Sequence, residues 1–440
     1  MKKVLVIGGG FAGLTAAAYL SNSGYKVELI EASPKLGGRA YSLKDDSTGS
    51  VIDNGQHILM GCYKETLNFL RLIGAENNFI FQERLKVNFL TEKGKLFRLE
   101  ATQLFYPLNL LFGLLNFQAI SFINRLTLLK FFLKIYSYSD EELKRLTVYQ
   151  WLLLEGQNEG IRKAFWDFLA IGALNTDTKK ASAKVFADIL KEIFFKGNEA
   201  ATIILPAKGL SESYCNNAHD FIEKRGGVVS LSEQVSGWDI LNDEVKKVIT
   251  SKRIISDFNC VISSVPWFGL EKLETSGVKF SDTTGKPGKL MDELNLDLKH
   301  SAILSIHIWL NEQKLTEDFY GLIGSPVHWI FNHKDHIALV KSDANDLVDK
   351  SKDEIFEMAA LELEKYTGIK KSDIKSFKVI KEKRSTFIPD KESCAKRPGT
   401  KTKVKNLFLA GDWINTGLPS TIESAVKSGR MAAEQIRLSK

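Results

Sequence analysis

The first fifty-five residues constrain this chain more than any other stretch. Val4-Leu5-Val6-Ile7 is a short apolar run rich in β-branched side chains, and Gly8-Gly9-Gly10-Phe11-Ala12-Gly13 follows at once. An alanine-rich stretch from Leu14 to Ser21 comes next, then a second apolar run, Lys26 to Ile30, ending in Glu31. Strand, glycine turn, helix, strand, acid is the order that a dinucleotide-binding fold requires. Gly8 permits the tight turn, Gly10 lets a pyrophosphate approach the backbone, and Gly13 lets helix and strand pack closely. The phosphates then lie at a helix N-terminus, beside Phe11 and Ala12, where unpaired N–H groups and the helix dipole favour negative charge. Glu31, with Ala32 after it, stands 18 residues beyond Gly13, placed to accept hydrogen bonds from a ribose.

Leu36-Gly37-Gly38-Arg39 follows the acid, and Gly49-Ser50-Val51-Ile52-Asp53-Asn54-Gly55 then leads into Gln56 and His57. This spacing resembles the extended FAD fingerprint of glutathione-reductase-type flavoproteins related to amine oxidases, phytoene desaturases and protoporphyrinogen oxidases. The resemblance implies an α/β fold with a Rossmann-like FAD domain. It also implies that Gly37, Gly38 and Arg39 lie along the diphosphate and ribityl chain, with Gly55, Gln56 and His57 in the same cofactor site. A guanidinium suits that place, because its fork of N–H donors matches phosphate or flavin oxygens. No cysteine stands in a flavin-linking motif, so the expected FAD is non-covalent.

A chain of 440 residues exceeds one simple core, so two interleaved domains are expected. The four cysteines (Cys62, Cys215, Cys260, Cys394) are scattered, with no CxxC and no metal-ligand spacing. They are read as reduced thiols, and no metal is expected. The opening is read as a buried strand rather than a leader, which makes the cytoplasm the expected location. A net charge of +7 suits an anionic membrane surface, whereas no basic stripe or RNA-type motif points to nucleic acid.

Toward the other end, Asn406-Leu407-Phe408-Leu409-Ala410-Gly411-Asp412 reads as a strand ending in an acid. The turn Thr416-Gly417-Leu418-Pro419 precedes a helix expected from Ser420 or Thr421 to Ile436. Related flavoproteins end this way, which implies that Gly411 and Asp412 lie near the pyrophosphate or ribityl hydroxyls. Ser420, Thr421 and Ile422 would then offer backbone donors to the flavin pyrimidine edge, where reduction leaves negative charge. Between the ends, a helix to Lys224, then Gly226-Gly227-Val228-Val229 and Val235, resembles the stretch that meets the adenine. Asp257 to Pro266 resembles the strand before a Pro-containing crossover. The cofactor domain is therefore expected to be discontinuous, over 1–85, 200–270 and 385–440. The substrate side is an inserted α+β domain over 86–199 and 271–384, a helical insertion plus mixed sheet.

The first insertion is dense in Phe and Leu from Leu104 to Tyr138, including Phe105, Phe112, Phe117, Phe122, Phe131 and Phe132. Asn109, Asn116, Gln118, Asn124, Arg125, Lys130 and Lys134 interrupt it, so nothing reaches the roughly 20 apolar residues of a spanning helix. Helical core, the wall of a long apolar tunnel, and an interfacial surface on lipid all remain open.

Asp53-Asn54-Gly55-Gln56-His57 with Gly61-Cys62-Tyr63 resembles the squalene-associated FAD-dependent desaturase family, the hydroxysqualene dehydroxylases. So do Phe165-Trp166, Ala173-Leu174-Asn175-Thr176, Gly321 to Phe331, Gly411-Asp412-Trp413 and Thr416 to Glu423, which together span Val4 to Ala433. His328 stands where glutamine is expected, and Asp177 where proline is common; both bear on substrate fit. The resemblance implies that hydroxysqualene and reduced FAD give squalene, water and oxidised FAD. Its partners would be a long apolar isoprenoid, the inner face of a membrane, and upstream enzymes of squalene formation.

The chemistry needs a dry channel and one proton donor. Loss of water from the allylic carbon leaves a delocalised cation, which hydride from flavin N5 would quench. His57 and Tyr63 are the candidate donors, with Asp167, His328 and Asp412 behind them; His57 also fits a role in shaping the pocket. Trp166, Trp329 and Trp413 are expected as apolar walls, with core packing as the alternative. A carotenoid-type desaturase would run the same fold in the opposite redox direction. A flavin amine oxidase would need an aromatic cage, of which Trp413 is one candidate member. A scaffold that binds flavin without turnover is the reading from another class.

Overall fold

A computed structural model describes residues 2–275, 294 and 296–438. Residues 276–293 and 295, part of the second expected insertion, lie outside the described residues.

The N-terminal run forms the strand Lys3–Ile7, third in a five-stranded parallel sheet. The order is Val228–Ser230, Lys26–Ile30, Lys3–Ile7, Cys260–Ser263, Leu407–Leu409. A strand covered on both faces needs apolar residues at every position, which is why Val4 to Ile7 carries no polar side chain. Val4 and Val6 pack against a helical layer built from Phe11–Asn22, Asn216–Glu223 and Ile422–Leu438. Leu5 and Ile7 point the other way, toward Trp238 and Val248 of an antiparallel sheet made of Val235–Leu241, Glu244–Thr250 and Ile254–Ile255.

Strand order reverses at Lys3–Ile7. The chain first crosses to Lys26–Ile30 on one side, and later returns as Cys260–Ser263 on the other. Such a switch point leaves a crevice beyond the carboxyl ends of the strands. The glycine turn opens into it. Gly8 has φ +102°, a region that side chains with a Cβ avoid. A Cβ on Gly13 would lie 1.9 Å from the Gly8 carbonyl oxygen, so only glycine lets the helix start this close to the strand.

Two boundaries differ from expectation. The last helix begins at Ile422, because Thr421 stays outside as its cap, its Oγ1 accepting from the Ser424 amide at 3.2 Å. The strand before it covers only Leu407–Leu409, because Gly411 turns away at φ +147°.

A second, seven-stranded sheet is ordered Ile374–Phe387, His300–Leu310, Ile337–Lys341, Trp329–Asn332, Phe319–Leu322, Lys86–Leu90, Leu96–Glu100. Its pairs are antiparallel except Phe319–Leu322 on Lys86–Leu90. Alternation divides its faces. Leu304, Ile306 and Ile308 pack under the helix Lys352–Thr367, whereas Ile303 and His307 look back toward the first sheet.

Helices of the Phe-rich insertion, Leu108–Leu115 and Phe122–Lys134 among them, close the remaining side. Phe117, Phe131 and Phe132 join Trp151 and Trp166 in one core. Among the described residues no helix is long and apolar enough to cross a membrane.

The last helix crosses the first at a glycine: a Cβ on Gly429 would sit 2.2 Å from the Ala12 carbonyl oxygen. Gly429→Ala is therefore expected to force the two helices apart and cost about 1–3 kcal/mol of stability. Denaturant unfolding of the flavin-loaded protein measures it, and an unchanged midpoint would mean the crossing yields without strain.

Candidate functional site

One cavity of about 1350 Å³ runs from the glycine turn to the helices Asp167–Leu174 and Ala183–Phe194. Its volume exceeds the roughly 300–1,000 Å³ of a pocket for one small ligand, leaving room for a cofactor and a substrate together. Gly8, Gly10, Phe11, Ala12, Glu31, Ala32, Gly37, Gly38 and Arg39 line one end, and Val235 joins them from the antiparallel sheet. Gly55, Gln56, His57, Gly411, Asp412, Ser420, Thr421 and Ile422 line the middle. Gly13 alone of the expected cofactor residues has no place on the wall; it sets the spacing beneath it.

The donors suit an elongated, anionic, nucleotide-like group. At Gly10 no atom would lie nearer a Cβ than 3.7 Å, so the backbone there stands clear of its surroundings. The Glu31 carboxylate accepts from the Gly9 amide at 2.6 Å and the Ser33 amide at 2.8 Å. Each oxygen keeps a second lone pair for a ribose hydroxyl. Phe11 stacks on Tyr214 with ring centres 3.9 Å apart, and the Tyr214 hydroxyl donates to the Ala40 carbonyl at 3.0 Å. Tyr214 thus steadies the glycine loop from below, a role that nothing in its sequence neighbourhood signals.

Arg39 and Asp412 form an ion pair across the cavity, with Arg39 Nη1 3.2 Å from Asp412 Oδ2 and Nη2 bonded to Oδ1. Nη1 also donates to the Ser385 carbonyl at 2.6 Å, and Ser420 donates its hydroxyl to Asp412. Burial by itself would raise the Asp412 carboxyl, but the facing guanidinium and these hydrogen bonds hold it below its ordinary 3.8. Arg397, which sequence reasoning missed, ties down the turn behind it. Its guanidinium donates to the carbonyls of Trp413 at 3.2 Å, Leu418 at 2.6 Å and Asp412 at 3.1 Å, and to that of Ile414. Glu423 was missed as well. It accepts from the Glu65 and Thr66 amides, both at 2.9 Å, and so caps the helix Lys64–Leu72.

Both candidate proton donors line the cavity. Burial, and then the charge of Arg39, pushes the His57 imidazole down to about 4, and its Nε2 is buried without a partner. Burial also raises the Tyr63 phenol, helped by Cys62 and Glu423. At neutral pH both rings are uncharged. Asp167 and His328 are not on the wall; His328 instead accepts from the Ser342 amide at 3.2 Å, and Asp177 caps its own turn through the Lys179 amide.

The tryptophans divide. Trp329 lines the cavity, its ring 3.8 Å from that of Phe168. Trp166 and Trp413 require correction: both are 0% exposed and neither touches the cavity. Trp166 sits in the helical core with its indole N–H on Gln157 at 2.8 Å, because the helix turns Phe165 and Phe168 to the cavity instead. Trp413 is turned behind Gly411 into the core shared with Leu407 and Leu409. Around Trp329 the wall carries Leu85, Val87, Phe89, Leu99, Phe165, Phe168 and Phe331, while Asp188, Lys191, Glu192 and Lys196 also reach the cavity.

The model of the family "Flavin containing amine oxidoreductase" matches residues 11–437. The hydroxysqualene dehydroxylase of Sinorhizobium fredii is 28% identical over 98% of this chain and 98% of its own length. The 15-cis-phytoene desaturase of Glycine max is 24% identical over 98% of this chain and 79% of its own. Among solved structures, an oxidoreductase from Methanosarcina mazei superposes with a TM-score of 0.73 at 18% identity, covering 98% of this chain and all of that one. That likeness concerns the fold.

Asp412→Ala would leave Arg39 half-buried without its counter-charge, an expected loss of about 3 kcal/mol. The folded carboxyl titrates below the unfolded one. The stabilisation is therefore complete above the ordinary carboxylate range and fades as pH falls through the folded value. Urea unfolding from pH 7 to pH 3 should show wild type and variant converging in acid; a constant gap would mean that the pair is not its source.

Proposed function

Because the chain belongs to the flavin-containing amine oxidoreductase family and is an FAD-dependent oxidoreductase, we propose that it reductively removes the hydroxyl of hydroxysqualene to give squalene. One observation carries this reading: the cavity that takes in the glycine turn and Glu31 also takes in Leu85, Phe89, Phe165, Phe168 and Trp329. Similarity to a hydroxysqualene dehydroxylase along the whole chain supports it. In this reading 1–85, 200–270 and 385–440 hold FAD, and 86–199 with 271–384 hold the isoprenoid.

FAD, bound and reduced, supplies a hydride. The protein's own residues do the rest. These apolar side chains exclude water from the allylic carbon, so that the cation left when C–O breaks is not captured by solvent. The Tyr63 hydroxyl delivers the proton that lets the oxygen leave as water and regains one from solvent afterwards, while the neutral His57 ring shapes the pocket. Arg39, Asp412, Ser420 and the start of the last helix hold the cofactor, the helix favouring charge on its pyrimidine edge. The phytoene-type desaturase is the second reading, favoured by the Glycine max relative. An amine oxidase loses its aromatic candidate, since Trp413 is buried away from the cavity.

A single anaerobic turnover tests this. Chemically reduced enzyme mixed with hydroxysqualene should reoxidise its flavin as squalene forms, one for one. Flavin that stays reduced over intact hydroxysqualene sinks the reading, and phytoene with oxidised enzyme is then the next substrate. The single-turnover rate should show no inflection between about pH 5.5 and 8, since His57 is already deprotonated well below that window. An inflection near 6.5 that His57→Gln removes would instead identify the imidazolium as the acid.

The helix Phe122–Lys134 is apolar on both sides. Phe131 and Phe132 point inward, yet Phe122, Ile123 and Leu133 are 61%, 75% and 85% exposed. A surface helix ordinarily turns polar residues outward. From Ala101 to Ser139 the chain carries Arg125, Lys130 and Lys134 and no acidic residue. Tyr136, on the same stretch, is both exposed and part of the cavity wall. This face is assigned to an anionic bilayer, from which the substrate enters. Sedimentation with phosphatidylglycerol-containing vesicles should capture the protein, and Ile123→Glu with Leu133→Glu should weaken capture at least tenfold. Wild type left in the supernatant would exclude it, as would a dimer that the same changes dissociate.

A further inference from the structure

Among the described residues, the carboxylates on the cavity wall are partnered, with one exception. Glu31, Asp412 and Glu423 hold the contacts given above. Glu65 pairs with Arg430 at 2.6 Å, and Asp188 with Lys184 at 2.6 Å. Glu192 lies 3.7 Å from Lys196, and Glu233 lies 3.0 Å from Arg253. The exception is Glu382, which lines the cavity with neither a hydrogen bond nor an ion pair.

Strand pairing places its side chain. Glu382 stands directly opposite Ile303, and such partners share one face of a sheet. Ile303 lines the cavity and packs against the cluster that contains Phe165, Phe168 and Phe331. Lys381, one residue earlier, stands opposite Leu304 on the far face, where its Nζ reaches the Lys350 carbonyl. A bulge sets this register, because Ile374–Phe387 carries extra residues between the Ser301–Thr386 and Ile303–Glu382 pairs. Beyond the bulge, the Ser385 carbonyl accepts from Arg39 at 2.6 Å and Thr386 Oγ1 accepts from Asn175 at 2.9 Å. The strand is thereby fixed against the cavity.

Glu382 is only partly buried, and its oxygens remain accessible. Its charge acts on Arg39 without a bond: burial lowers the Arg39 guanidinium, while Asp412 and then Glu382 raise it. A carboxylate only accepts hydrogen bonds. Beside apolar side chains, covering it with hydrocarbon is unfavourable, whereas a ligand that brings an O–H supplies the missing donor.

We propose that Glu382 is a specificity-determining residue, its carboxylate accepting the O–H of a long-chain alcohol bound in the cavity and disfavouring a hydrocarbon of the same shape. The choice of an alcohol rests on the dehydroxylase reading. The hydroxyl hydrogen goes to Glu382, which leaves the lone pairs of that oxygen for the proton from Tyr63.

Binding to the oxidised enzyme, followed as a perturbation of flavin absorbance, tests this without turnover. Wild type should bind hydroxysqualene at least tenfold more tightly than squalene. Glu382→Leu should erase that preference, weakening hydroxysqualene and strengthening squalene, with FAD affinity unchanged. Glu382→Gln, which keeps an acceptor without the charge, should retain part of the preference and serves if Glu382→Leu fails to fold. Equal binding of the two ligands by wild type overturns the proposal, and so does a preference that neither substitution changes. Variants that lose FAD affinity yet keep the preference overturn it too, since the carboxylate then serves the cofactor. A long-chain amine bound more tightly than hydroxysqualene, again through Glu382, does the same. Reduced wild type that leaves hydroxysqualene intact refutes the dehydroxylase reading alone, because the preference is measured on the oxidised enzyme.

Discussion

The ion pair between Arg39 and Asp412 joins segments 373 residues apart and is what makes one cavity of two chain ends. The glycine loop that carries Arg39 and the turn that carries Asp412 are each built around glycines at positive φ and have little stiffness of their own. Opposite charges, partly withdrawn from water, give them a shared position. Ser420 and Ser385 complete the hydrogen bonding, as a buried pair requires to offset its desolvation. Arg397 then fixes the turn behind Asp412 through four backbone carbonyls, so the acid does not drift from its partner.

Charge and neutrality are divided between architecture and cavity. Three charged groups at the site are committed to architecture: Arg39 to Asp412, Arg397 to carbonyls, and Glu423 to the amides of a neighbouring helix. His57 and Cys62, which line the cavity, are held uncharged, by burial before anything else. His57 falls to about 4, and Cys62 rises to about 12. Neutral donors in a chamber partly withdrawn from water suit chemistry in which a positive charge forms briefly on carbon, because fixed dipoles act strongly there.

What could be read from the chain was what local rules govern. The glycine turn, its flanking strands and the acid after them follow from backbone sterics over some thirty consecutive residues, and they stand as expected. Asp412 was legible because a strand and a turn frame it. Arg397 and Glu423 were not, since their partners lie across chain distances that no spacing encodes. Trp166 and Trp413 were misplaced for a related reason. A motif gives a residue's neighbourhood but not the direction of its side chain, and one helical position decides between wall and core.

The central strand precedes one of its two neighbours in the sheet by more than half of the chain. Lys3–Ile7 pairs with Cys260–Ser263, and Leu407–Leu409 completes the same sheet. The middle of the cavity is thus not assembled until Asp412 and Ser420 have been made. During that interval the apolar strand Val4 to Ile7 has Lys26–Ile30 on one edge only, and the other edge stays open to any passing chain. Cellular yield should therefore depend on how such nascent chains are shielded, and on how soon the cofactor meets the completed fold.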